Sequence, residues 1–507
     1  MIIFLLTVHC AIGQEQNNRW YFGYNNGVNF NTAPPTALNG GQTFTQEGTA
    51  SIADRLTGNL LFYTDGARVW DRNNVIMPNG TGLLGGIDNI SNVPNDLSST
   101  SAAIIVPRPF NPNIYYIITI DQVNSTNGMR YTVVDMSLNG GFGDVVPGQK
   151  NILILNTRSE KMQAVPQANG CGYWLITTDS NGTQFLSYSI TETGIDATPV
   201  VSPMAPGADF IERGHIKINS QLDKLALGNN VGFSNIPRIE LYDFDNATGL
   251  ISNPITWNYP FTLFNSFAGV EFSPDGTKLY ISPGFIGIVQ YDISSGNQAT
   301  IEASFFDVTQ SFGTPVTGTI QLGPNGIIYA ATSSGLLSIN NPNASGAACN
   351  PIANPISGLT GQTWYGLPQK VYVLDDPNIS NDIVTNGNCT ANAIPFSLQN
   401  TNDVQSVVWD FDDPSTGAQN TSTSLAPSHT FSAPGTYNVE VEVTYPCTII
   451  TFTTEVNIVS PTAPTFSIPN TLCTGAVAPA LPVTSDNGIN GTWSPATVDN
   501  TASGTYT

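Results

Sequence analysis

One phrase recurs along the first 370 residues of the chain: a turn, a short hydrophobic strand, a loop and a second strand. The clearest copies are Ser273-Pro274-Asp275-Gly276-Thr277-Lys278-Leu279-Tyr280-Ile281-Ser282 and Gly323-Pro324-Asn325-Gly326-Ile327-Ile328-Tyr329-Ala330. Taking one turn residue from each copy gives positions 58, 112, 170, 223, 276 and 326, with spacings of 50 to 58 residues. The second strand repeats as well, as in Val69-Trp70-Asp71, Ile239-Glu240-Leu241-Tyr242-Asp243 and Ile288-Val289-Gln290-Tyr291-Asp292. A period near 50 with about four strands per unit is the pattern of a β-propeller, in which each unit buries its faces only against its neighbours. Two half-units remain, Trp20–Phe30 at one end and Trp364–Leu374 at the other. Placing both in one blade closes the ring and leaves no open edge strand. The expectation is a propeller over residues 20–374 with seven blades, six or eight being the alternatives.

Composition agrees with an all-β chain. Charged residues make up only 10% of the 507, against about 25% in ordinary globular proteins, while Gly (47) and Pro (35) are plentiful. That profile suits short strands and tight turns and argues against a helical bundle. With 15 Lys and Arg against 37 Asp and Glu, the net charge of −22 excludes nucleic acid as a partner, because affinity for phosphate needs clustered cations. No Lys or Arg follows Lys370, so the last 137 residues carry 12 acids and no base. The break in composition near residue 370 marks a domain boundary.

The start of the chain reads as an export signal over residues 1–13. Ile2 to Val8 is apolar, and Ala11-Ile12-Gly13 has the small-x-small form of a cleavage site. The run is short and lacks a preceding base, so the expectation is a true start upstream or a chain that is a fragment. His9 before Cys10 argues against a lipoprotein anchor. No later segment reaches 18 consecutive apolar residues, so no transmembrane span is expected. Export permits disulfides among Cys171, Cys349, Cys389, Cys447 and Cys473.

The Ser273–Ser282 phrase resembles the WD40-like repeat of periplasmic and secreted bacterial propellers. The segments Trp20-Tyr21-Phe22-Gly23, Gly58–Asn74, Pro78–Leu84, Glu240–Gly249 and Gly366–Gln369 together resemble the propeller of Bacteroidetes surface proteins exported by the type IX secretion system, which end in a gliding-motility-associated (type B) sorting domain. The resemblance implies an extracellular or outer-surface location and the type IX machinery as a partner. That sorting domain is missing from this sequence.

Beyond a polar stretch, Val407-Val408-Trp409-Asp410-Phe411-Asp412-Asp413, Ser428-His429-Thr430-Phe431 and Gly435-Thr436-Tyr437-Asn438-Val439 resemble the signature of a polycystic-kidney-disease (PKD) domain, an immunoglobulin-like β-sandwich. Asp412 and Pro414 stand where that family has Gly. The implied domain covers residues 386–459, and residues 460–507 read as a partial immunoglobulin-like repeat that stops at Tyr506-Thr507. In such a sandwich the start of the first strand and the turn after the alternating strand lie at one end, which makes Cys389–Cys447 the expected disulfide. Cys171 and Cys349 are expected to be free buried thiols. The carboxylates Asp410, Asp412 and Asp413 have the oxygen-ligand character of a calcium site, the bland alternative being a solvated turn. No other cofactor is implied.

Motifs of catalysis are missing. There is no HExxH, GxSxG, Walker A loop or CxxC pair. His429 belongs to the PKD-like motif and reads as structural, which leaves His215 as the one His for chemistry, and a polar strand-end or channel-lining role suits it better. Asp65, Asp71, Asp135, Asp243, Asp275 and Asp292 sit where turn carboxylates cap backbone N–H groups. Trp20, Tyr21, Trp70, Trp257, Tyr259, Trp364 and Tyr365 form either inter-blade packing or a carbohydrate platform. These readings converge on a non-enzymatic, exported binding or adhesion protein. Its propeller would be the platform for an extracellular glycan or protein, with the sandwich domains as spacers. The alternative is an extracellular propeller enzyme acting on polysaccharide through paired carboxylates. Acids and aromatics gathered at one mouth of the ring favour the enzyme; a channel of Ser, Thr, Asn and small apolar residues favours the binder.

Overall fold

The computed structural model describes residues 15–85, 99–123, 125–206, 213–229, 238–260, 269–283, 287–310, 317–333, 335–374, 381–402, 404–469 and 471–505. The export-signal residues, with His9 and Cys10, and Tyr506-Thr507 lie outside these. The chain divides into two compact units, Met1–Asp376 and Pro377–Thr507. No helix among the described residues is long and apolar enough to cross a membrane.

The first unit holds seven antiparallel sheets among its described residues, over 19–38, 50–81, 103–155, 162–203, 214–258, 269–307 and 317–353. Each is built from strands consecutive in the chain. The repeated turns make this possible: Gly58, Gly170, Gly276 and Gly326 all adopt positive φ, which a tight reversal demands. The first strand of each four- or five-stranded sheet is nearly all buried: Ala50–Ala53, Ala103–Pro107, Met162–Pro166, Gly214–Ile218, Gly269–Phe272 and Thr317–Leu322. These strands neighbour one another in order around an axis. The blade cores are clusters between adjacent sheets, such as Ile52, Phe62, Ile105, Tyr115 and Ile117. The fold is a β-propeller.

Ring closure differs in detail from the sequence expectation. The 19–38 blade has three strands, Arg19–Phe22, Asn26–Asn29 and Thr36–Leu38. Residues 361–366 run along its inner side: Tyr24 N donates to Gln362 O (2.8 Å), Tyr365 N to Gln46 O (2.8 Å), and Thr319 N to Tyr365 O (2.6 Å). Two glycines permit this approach, since a Cβ on Gly318 or Gly366 would meet the backbone oxygen of Tyr365 or Glu47 at 2.2 or 1.6 Å. Residues 361–374 nonetheless form no regular strand. Trp364 turns the chain at φ 50°, and Pro368 lacks an amide for a ladder. Val371 is instead held by the amino-terminal turn Glu15–Asn17. Its N–H donates to Asn17 Oδ1 (2.8 Å), and its carbonyl accepts from Asn17 Nδ2 (2.9 Å) and Gln16 Nε2 (3.2 Å).

The second unit has a sheet of Ile383–Thr385, Ile394–Leu398 and Ser428–His429, and another of Thr421–Ser422, Ser406–Asp410, Gly435–Thr444 and Ile449–Ile458. Period-2 alternation sends Val439, Val441 and Val443 inward onto Phe396, Trp409 and Phe411. Among the described residues, 460–505 contain no strand and a single bridge, Thr484 to Asn490. Six prolines between 461 and 495 deny this stretch ladder donors, and its apolar packing is limited to contacts such as Phe466 on Trp493 at 4.6 Å.

The cysteines do not follow the expected pairing. Cys389 is a free thiol, while Cys447 is disulfide-bonded, so Cys389–Cys447 is not formed. Cys389 bridges Val459 in parallel, at the far end of the strand Ile449–Ile458 from the turn that carries Cys447. Ten strand residues put roughly 30 Å between the two ends. In the propeller Cys349 is free and buried as expected, but Cys171 is disulfide-bonded, in a half-exposed turn rather than a core.

Candidate functional site at the propeller axis

Alternation along the innermost strands places polar side chains in two layers on the axis. The upper layer joins three blades through one histidine. His215 Nε2 lies 3.1 Å from Thr100 O and 3.2 Å from Thr319 Oγ1. A carbonyl only accepts, so Nε2 carries the proton and that nitrogen is not free to act as a base. Beside it Glu160 is buried. Its Oε2 accepts from Thr100 N (2.8 Å) and Thr100 Oγ1 (3.0 Å), and its Oε1 from Val123 N (2.9 Å), with Arg213 Nε at 3.8 Å. Burial pushes the Glu160 carboxyl above the usual range, against the pull of these donors. Buried serines adjoin these residues in the chain, Ser99 and Ser101 on either side of Thr100 and Ser159 before Glu160.

The lower layer follows one period further along the same strands. Lys217, two residues after His215, lies 3.5 Å from Glu271 Oε2 and donates to Gln321 Oε1. Glu271 also accepts from Phe272 N and Leu322 N, each at 3.0 Å. Burial lowers the Lys217 ammonium below the ordinary lysine value, and Glu271 opposes that. Lys370 enters from the carboxy-terminal segment, its ammonium 4.5 Å from the centre of the Tyr372 ring. Tyr372 and Tyr173 are both raised, mainly by burial. Leu374 N donates to the Tyr173 hydroxyl (3.1 Å) and Leu374 O accepts from Arg55 Nη1 (3.2 Å), which anchors this segment.

The aromatic candidates separate into two groups. Trp20, Tyr21, Trp70, Trp257 and Tyr259 are buried between blades. Trp364 and Tyr365 are half-buried and belong to a cluster with Tyr24 and Phe44. Tyr24 stacks on Phe44 at 4.0 Å, and Trp364 meets Tyr24 at 5.5 Å and Tyr365 at 5.8 Å, edge to face. Tyr24 and Phe44 escaped notice in the sequence because neither lies in a repeat. The cluster adjoins the upper layer, since Tyr365 O is bonded to the backbone of Thr319.

The turn aspartates serve their own turns. Asp65, Asp71, Asp135, Asp275 and Asp292 each accept from a backbone N–H two residues on, and Asp243 pairs with Lys224 and Asn253. The calcium candidates do not converge. Asp410 Oδ1 accepts from Asp412 N and Asn420 Nδ2, Asp412 Oδ2 from Asn438 N, and Asp413 from Ser432 and His429. Among the described residues no three His, Cys, Asp or Glu side chains gather as a metal site.

The signature residues of the second unit find their family in a direct match. Residues 376–458 fit the PKD domain model. That segment is a PKD domain. No curated protein matches the chain. Among solved structures, a Bacteroides fragilis protein assigned as a 6-phosphogluconolactonase is 14% identical, with a TM-score of 0.42, covering 69% of this chain and 98% of its own. The periplasmic gluconolactonase of Pseudomonas aeruginosa is 12% identical, TM-score 0.33, with coverage of 69% and 98%. The extracellular domain of a hybrid two-component-system protein of Bacteroides thetaiotaomicron is 13% identical, TM-score 0.22, with coverage of 88% and 77%. None of these transfers an activity to this chain.

Proposed function

We propose that the chain is an exported surface protein whose propeller binds a neutral glycan through the Tyr24–Phe44–Trp364–Tyr365 cluster, without turning it over, while the PKD domain acts as a spacer. The observation that carries this reading is Trp364. A bulky residue at φ 50° costs about 1–2 kcal/mol, and such strain concentrates at ligand sites. It holds an indole partly open at the edge of an aromatic patch, where C–H faces of a sugar can stack. The net charge of −22 disfavours acidic glycans at the surface cluster. Export by the type IX machinery and an outer-surface location rest on the sequence resemblance, and the PKD domain is in keeping with an extracellular location.

Binding without turnover is supported by the axis. The carboxylates Glu160 and Glu271 are each engaged by backbone N–H groups. A glycan array probed with the whole chain tests the reading. We expect retention of a neutral glycan, a loss of at least tenfold in W364A, and no product in a hydrolysis screen. Binding unaffected by W364A would remove the cluster from the account.

A further inference from the structure

We propose that the lower axial layer is an anion site, taking a small monovalent anion of halide size beside Lys370, Gln369 and Gln163. A small cavity of about 10 Å³, room for one water-sized guest, lies there, walled by Ile104, Val106, Tyr173 and Tyr372 as well as these three residues. Lys217, Lys370 and Glu271 sum to one positive charge, and Glu271 is committed to Lys217 and two backbone N–H groups. Among the described residues Lys370 has no carboxylate within 4 Å; its neighbour is the Tyr372 ring. An ammonium taken out of bulk water without a counter-charge favours an anion beside it.

Gln369 is only 6% exposed, and neither atom of its amide has a hydrogen-bond partner; Gln163 is 4% exposed, and its Oε1 has none. Buried amides are nearly always satisfied, so two such groups facing one cavity mark a place built for a polar guest. Turning the Gln369 terminal amide presents its N–H groups to the anion, whereas Gln163 Nε2 is held by Ala164 O (3.3 Å) and its free Oε1 can accept from Lys370. The cavity is too small for a large hydrated ion. The site is distinct from the aromatic cluster and does not depend on glycan binding.

The test is thermal unfolding of the full chain in sodium bromide and in sodium gluconate at equal ionic strength, since so acidic a protein is stabilised by any salt. Bromide is expected to raise the propeller transition by about 2–4 °C over gluconate. K370M and Q369L are expected to abolish the difference, and K370R to keep it. Crystals grown in bromide are expected to show an anomalous peak within about 4 Å of Lys370 Nζ. Equal transitions in the two salts, or a bromide-free axis with water in its place, would overturn the proposal. Should K370M fail to fold, Q369L and the anomalous map still decide it.

Discussion

In the PKD domain one carboxylate, Asp413, ties the acidic turn to the strand that precedes Gly435. It accepts from Ser432 N at 2.7 Å and Ser432 Oγ at 2.6 Å, and faces His429 Nε2 at 3.3 Å. Burial works to raise its pKa, but the Ser432 and His429 contacts win and hold it below the usual carboxylate value. A depressed folded value means stability that is complete above about pH 4 and is lost as pH falls through the folded value. D413N is expected to destabilise the PKD transition by about 1–3 kcal/mol at pH 7 and to flatten its acid limb, as read by thermal unfolding from pH 2 to 7. The motif residues around it were legible in the sequence, His429 included. What the sequence left open was Asp412, which stands where Gly is usual. The structure gives it φ 58°, the conformation Gly would adopt, and a side-chain bond to Asn438 N. Asp tolerates the left-handed region because its short side chain bonds locally.

At the scale of elements, two pairings carry testable weight. In the PKD sheet Asp410 lies directly opposite Glu440 in the register of Ser406–Asp410 on Gly435–Thr444, both facing outward. Like charges in that position repel, with no Lys or Arg in the unit to offset them. E440T is expected to raise stability by about 0.5 kcal/mol in low salt and by less in 0.5 M salt, read from denaturant midpoints. In the propeller, Asn17 copies a β-ladder by bonding both the N–H and the carbonyl of Val371. N17A leaves the buried Val371 N–H unpaired and its carbonyl with Gln16 Nε2 alone, and is expected to cost about 1–3 kcal/mol in the propeller transition, measured by calorimetry. Strand and turn positions were legible because Gly and Asp mark each turn and alternation marks each strand. The closing segment was not. Residues 364–374 read as a strand by composition, and their path along the axis is decided by contacts from Asn17, Tyr173 and Arg55, far away in sequence. The Cys389–Cys447 expectation failed for the same reason: it needed the end of the sandwich at which Cys389 begins, which the register of Cys389 on Val459 reverses.

At the scale of the molecule, the 50-residue period, the composition break after Lys370 and the PKD signature were enough to read a propeller and a β-sandwich in order. The axis was only partly legible. His215 stood out as a lone histidine, whereas Glu160, Lys217, Glu271 and Lys370 look like ordinary strand residues until closure of the ring brings them together. Their place on the axis, and the half-open cluster around Trp364, lead to the central claim, that the propeller binds without chemistry. The most direct test incubates the full chain with whichever neutral glycan it retains and follows both binding and product by chromatography, for the wild type, W364A, E160Q and E271Q. The account expects binding that falls at least tenfold in W364A, and no product from any of the four. Product formed by the wild type and abolished in E160Q or E271Q would contradict it.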